Sequence, residues 1–179
     1  MEQNLTVTLA ILAATPVTLD SLLRHLPESL THVSEGEGSW TVAQVLAHLI
    51  HGERTDWLPR VRIILRAGES EAFPTFQREA HLGEVRSLPE LLTEFAELRA
   101  VSLAQLRALN LTPQDLERRG CHPAFGLVTL SQLLAAWPVH DLSHLHQISR
   151  TLASQYREAV GPFSRYLGVL HCHGHSEKA

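Results

Sequence analysis

Three times this chain sets a hydroxyl residue three positions ahead of a glutamine or glutamate, each time just before apolar residues at helical spacing: Thr41 with Gln44, Ser87 with Glu90, and Thr129 with Gln132. That is a capping box, in which two side chains satisfy amide hydrogens that the first helical turn leaves unbonded. Thr15-Pro16 and Thr112-Pro113 add two more starts, a capping residue ahead of a proline at the first helical position. Behind these signals apolar residues recur every three to four positions. Long helices are expected from Thr15 to Leu26, from Thr41 to Arg66 with Ala67-Gly68 as the stop, from Ser87 through Leu106, with Val101 in its stripe, and from Thr129 through Leu152, with Leu142 in its stripe. Shorter helices are expected over residues 5–14, after Thr112, and around Phe163 to Leu170. Pro138 falls inside the last long helix and predicts a kink just before His140. No strand alternation and no internal repeat is visible, and "GCHPAFGLV" (residues 120–128) reads as a connector. The expected fold is all-α, a four-helix bundle with additional short helices. Its long connections imply at least one crossover.

A chain of 179 residues, 44% apolar, can build one core without staples. One domain over residues 1–170 is expected, followed by a flexible tail at 171–179. The formal net charge of -4, with both signs mixed along the chain and no basic patch, argues against nucleic-acid binding. Two distant cysteines, Cys121 and Cys172, fit a reducing compartment better than a disulfide framework. The first residues carry no basic cluster, and threonines interrupt their apolar run, so export is not expected. No uninterrupted apolar run has the length of a membrane span. These features together predict a cytoplasmic protein that does not enter membranes.

Twelve histidines are the compositional oddity. In "HDLSHLHQI" (residues 140–148), His140 and His144 are four apart and therefore share one helix face, so both can reach one metal ion. Two ligands hold an ion weakly, and a third is expected from another helix. "AHLIHGE" (residues 47–53) offers His48 and His51. His48 lies beside the stripe set by Val45 and Leu49, whereas His51 opens a polar run, which favours His48 for the interior. Pairs at this spacing also arise by chance in a histidine-rich chain. His146 should point elsewhere, and His25, His32, His81 and His122 read as surface residues. In the tail, His171, Cys172, His173 and His175 read as adventitious ligands, with handover of metal to the interior as the alternative. Trp40, Trp57 and Trp137 read as core or pocket walls. Glu53 and Asp141 are the carboxylates nearest the histidines in sequence. Both are rotated off the ligand faces and read as surface charges or outer groups rather than as a general base.

Two segments, "SWTVAQVLAHLIHGE" (residues 39–53) and "GLVTLSQLLAAWPVHDLSHLHQISRTLASQY" (residues 126–156), resemble the DinB/YfiT-like superfamily of metal-dependent enzymes. The resemblance rests on Trp40, on His48-Leu49 in a capped helix, and on His140, His144, Gln147 and Ile148. It covers roughly residues 10–168. His146 departs from it, standing where relatives carry a small residue. The resemblance implies a four-helix bundle in which His48, His140 and His144 converge on one divalent ion, zinc or nickel, and it permits a homodimer. It also implies a small-molecule substrate and leaves two chemistries open. The absence of a convincing base favours transfer of a low-molecular-weight thiol, which the ion would deprotonate. Hydrolysis by metal-bound water is the alternative, and a non-catalytic metal-binding stress protein is a third.

Overall fold

The structure, a computed structural model, describes residues 4–80, 82 and 86–172. Seven α-helices are present among these residues: α1 (Leu5–Leu23), α2 (Glu28–Thr31), α3 (Val42–Thr55), α4 (Trp57–Ala67), α5 (Leu88–Ala108), α6 (Pro113–Leu116) and α7 (Leu130–Ser154). The capping boxes at Thr41, Ser87 and Thr129 open α3, α5 and α7, and Thr112 pairs with Asp115 to open α6. Gly68, with φ of 60°, ends α4 where a side chain would be strained.

Helix α1 differs from expectation. Residues 5–14 and the stretch after Thr15 form one helix, capped by Asn4, whose Oδ1 accepts from the amides of Thr6 (3.0 Å) and Val7 (3.2 Å). The Thr15 hydroxyl donates back to the Ile11 carbonyl at 3.1 Å instead of capping. Pro16 is thus interior and has no N–H for the carbonyl of Leu12. That carbonyl is taken by Arg99, whose Nη1 donates to it at 2.9 Å. A proline that should break a helix is accommodated because a side chain from another helix occupies the acceptor it frees. By length and composition α1, at 19 residues and a mean hydropathy of 1.6, could cross a membrane. Here it forms one wall of the bundle, with Leu12, Leu19 and Leu23 fully buried.

The expected helix from Thr41 to Arg66 is two helices. Pro59 explains the break, since its ring would collide with the carbonyl of Thr55, the last residue of α3. The connector at 120–128 contains a short hairpin, β1 (Arg119–His122) against β2 (Gly126–Thr129), with Arg119 opposite Thr129 and His122 opposite Gly126. Gly126 takes φ of 70° at the end of its three-residue loop. Four-residue strands are too short for alternation to register in the sequence. The stretch from Phe163 to Leu170 forms two 3-10 turns, Gly161–Tyr166 and Gly168–Leu170, rather than an α-helix. Val101 and Leu142, placed in the apolar stripes by spacing, are exposed.

Helix α1 packs on α5 and α7, and α3 packs on the same two. Consecutive walls α1 and α3 therefore lie across a diagonal, as do α5 and α7, so the chain crosses the bundle twice. Two apolar clusters fill the interior. One gathers Leu12, Trp57, Val61, Ile64, Leu134 and Trp137; the other gathers Leu19, Leu23, Leu46, Leu49, Phe95 and Ile148. On every wall the residues between the two clusters include polar ones: Thr15 on α1, Glu53 on α3, Arg99 on α5, and His140 to His144 on α7. A polar layer thus separates the two halves of the core.

Candidate metal centre

Half of that layer is a buried ion network. Arg99, 1% exposed, donates from Nε to Glu53 Oε1 (2.9 Å), from Nη1 to Asp141 Oδ2 (2.6 Å) and from Nη2 to Asp141 Oδ1 (3.1 Å). Trp137 Nε1 donates to the same Glu53 oxygen at 3.1 Å. With the Leu12 carbonyl, one guanidinium ties together all four walls. Burial works against its charge, but Asp141 and Glu53 outweigh that and hold its pKa above the ordinary value. Glu53 and Asp141 are rotated off the histidine faces as expected, but neither is a surface charge, because both are buried on Arg99. An arginine 42 residues from Asp141 and 46 from Glu53 gives no local sequence signal.

The other half of the layer is the histidines. Helix α3 supplies His48, buried at 4% exposure, and α7 supplies His140 and His144 from adjacent turns. The Nε2 atoms of His48 and His140 are 3.2 Å apart, and those of His140 and His144 are 3.1 Å apart. All three ligand atoms lie within 4.8 Å of one another. Imidazoles at about 2.0–2.1 Å from a tetrahedral ion would sit roughly 3.3 Å apart, so the spacing fits a divalent transition metal. Gln147, one turn beyond His144, presents Oε1 to His144 Nδ1 at 2.9 Å. An amide oxygen can only accept, so Nδ1 carries the hydrogen and Nε2 keeps its lone pair for an ion. Burial pushes His140 down to about 3, with His144 and Arg99 adding to the effect. It also lowers His144, against the opposing pull of Gln147 and Asp141. Both are neutral at pH 7, the form that ligates. Among the described residues these three histidines are the group of candidate ligands brought together.

Aromatic rings wall the site. Trp40 lies 4.9 Å from His48 and stacks at 6.5 Å on His144. Trp57 meets His140 edge-on at 5.2 Å and stacks on Trp137 at 5.5 Å. Phe76, in the segment after α4, meets His48 edge-on at 5.4 Å and lies 5.0 Å from His51. His51 stands outside the ligand cluster. Its Nε2 is buried and has no hydrogen-bond partner among the described residues. His146 is exposed, as expected, and so are His25 and His32. His122 is part of the hairpin instead, its Nδ1 accepting from the amides of Ala124 (3.1 Å) and Phe125 (3.2 Å). In the tail, His171 Nε2 lies 2.8 Å from the Ser164 carbonyl, and Cys172 Sγ donates to that of Gly168 at 3.2 Å. His81, His173 and His175 lie outside the described residues. Gln147 was visible only as a motif residue; its position three after His144 is the signal for its role. Phe76 has no such signal, since it lies in an irregular segment.

The sequence model of the DinB superfamily matches residues 11–148, a span that includes His48, His140, His144 and Gln147. Among solved structures, YfiT from Bacillus subtilis, described as a probable metal-dependent hydrolase with an unusual four-helix bundle topology, matches with a TM-score of 0.74. The match covers 89% of each chain at 22% identity, and at that identity it establishes a common fold. No curated protein sequence matches significantly.

Proposed function

The chain belongs to the DinB superfamily, and from that premise we propose that it is a divalent-metal-dependent hydrolase acting on a small molecule. One observation carries the reading: three imidazole nitrogens from two helices converge in a polar layer of the core. The description of YfiT as a probable metal-dependent hydrolase supports the choice of reaction. His48, His140 and His144 would hold the ion, and neutral imidazoles suit zinc or nickel. Such an ion, when bound, is a Lewis acid that makes hydroxide available near neutral pH. Gln147 fixes the His144 tautomer. Trp40, Trp57 and Phe76 restrict water around the histidines, which strengthens charge interactions there.

A second reading, transfer of a low-molecular-weight thiol, is favoured by a different observation. Hydrolysis benefits from a general base, and the two nearby carboxylates are both committed to Arg99. Thiol transfer needs no such base. Metal content by elemental analysis, followed by hydrolysis and thiol-conjugation assays, tests both. About one transition metal per chain is expected, and none in His48→Ala, His140→Ala or His144→Ala. The tail histidines are common to all four proteins, so they cannot cause that difference. A chain that stays metal-free after incubation with zinc or nickel refutes the proposal. Tight metal binding with no turnover on either substrate class would leave the non-catalytic reading.

A further inference from the structure

Beyond α4 the chain passes over the histidine cluster. Phe73, 3% exposed, anchors it, with its N–H donating to the Cys121 carbonyl at 2.9 Å. Three residues on, Phe76 covers His48. Two further on, the Arg78 guanidinium lies over the Trp40 ring, 5.2 Å from its centroid, and Trp40 is itself the wall against His48 and His144. The Arg78 side chain is exposed, and among the described residues no carboxylate lies within ion-pair distance of it. A guanidinium stacked on an indole keeps its edge donors open, and that planar fork matches a carboxylate or phosphate. Neutral histidine ligands would leave the charge of a divalent ion uncompensated, so a bound ion would add its positive charge to that of Arg78.

We propose, building on the metal-dependent reading of this site, that its substrate is a small organic oxyanion and that Arg78 binds the carboxylate or phosphate while the reacting group sits at His48, His140 and His144.

The test uses the full-length, zinc-loaded protein and two probes that share a metal-binding hydroxamate. Acetohydroxamate has a neutral tail, and succinomonohydroxamate carries a carboxylate. Wild type should bind the carboxylated probe about tenfold more tightly, as one charge-assisted pair warrants. Arg78→Met should abolish that preference with zinc content unchanged, and Arg78→Lys should restore only part of it. A phosphonate-tailed hydroxamate in the same series shows which oxyanion is preferred. Carboxylated and phosphonate probes that both bind no tighter than acetohydroxamate, or a preference that survives Arg78→Met, overturn the proposal and leave the metal reading standing. A chain that takes up no zinc removes the metal reading itself.

Discussion

Replacing Arg99 with methionine, of similar length but uncharged, removes a group that ties all four walls together. The variant leaves Glu53 and Asp141, each with a side chain 0% exposed, buried without a counter-charge. It also leaves the Leu12 carbonyl with no partner, because Pro16 cannot supply one. Breaking a buried pair from one side costs about 3–5 kcal/mol, and an orphaned buried carbonyl adds about 1–3 kcal/mol. The expected loss of about 4–8 kcal/mol compares with a total stability of about 5–15 kcal/mol for a domain. Arg99→Met should therefore be at or near unfolding at neutral pH. Urea denaturation followed by circular dichroism and tryptophan fluorescence measures it. Trp137, bonded to Glu53, reports the layer directly. The triple variant Arg99→Met, Glu53→Gln, Asp141→Asn removes every charge from the network and should recover much of the stability, which separates loss of charge balance from loss of packing. A loss below about 1 kcal/mol in the single variant would mean that the network does not hold the four helices together.

Gln147→Leu keeps all three histidines but frees the His144 tautomer. Metal affinity, read by competition with a chelating dye, should fall about 10–100-fold, and an unchanged affinity would make Gln147 an ordinary helix residue. Burial pushes the Asp56 carboxyl up to about 6, with Arg60 only partly opposing it. A folded pKa above the unfolded one means this group's contribution is complete below about pH 4 and is lost as pH rises through about 6, at most about 3 kcal/mol in all. Asp56→Asn should remove that slope, so its melting temperature gains on wild type between pH 4 and 7. Arg60 stays charged throughout, so its lost partner adds only a constant offset, and parallel curves would refute the assignment. A methyl group added at Gly120 would lie 2.7 Å from Ile64 and 2.8 Å from Phe73, both in the core. Gly120→Ala should cost about 1–3 kcal/mol in thermal or urea unfolding, and a neutral result would show that the hairpin shifts freely.

Much of the secondary structure was legible because helix starts are local chemistry. A threonine and a glutamine three residues apart can satisfy each other's amides without any help from the rest of the chain. The same locality made His140 and His144 readable as a pair, since four residues on a helix place two side chains on one face whatever surrounds them. Pro16 misled for the opposite reason. Pro16 reads as a helix start, and it is an interior residue because Arg99, 83 positions later in the chain, takes the carbonyl it frees. Pro59 sits where spacing alone suggests a continuous helix, and steric collision with the preceding turn divides it.

Local pattern alone thus settled the starts of α3, α5, α6 and α7, most of their faces, and the histidine pair on α7. Each follows from interactions that span four residues or fewer. Long-range packing sets His48 3.2 Å from His140, joins Glu53 and Asp141 on Arg99, and lays Phe76 over His48 and Arg78 over Trp40. Those outcomes depend on two diagonal crossings of the bundle and on an irregular segment, and no short-range pattern encodes either, because the free energy that selects them comes from packing surfaces far apart in the chain.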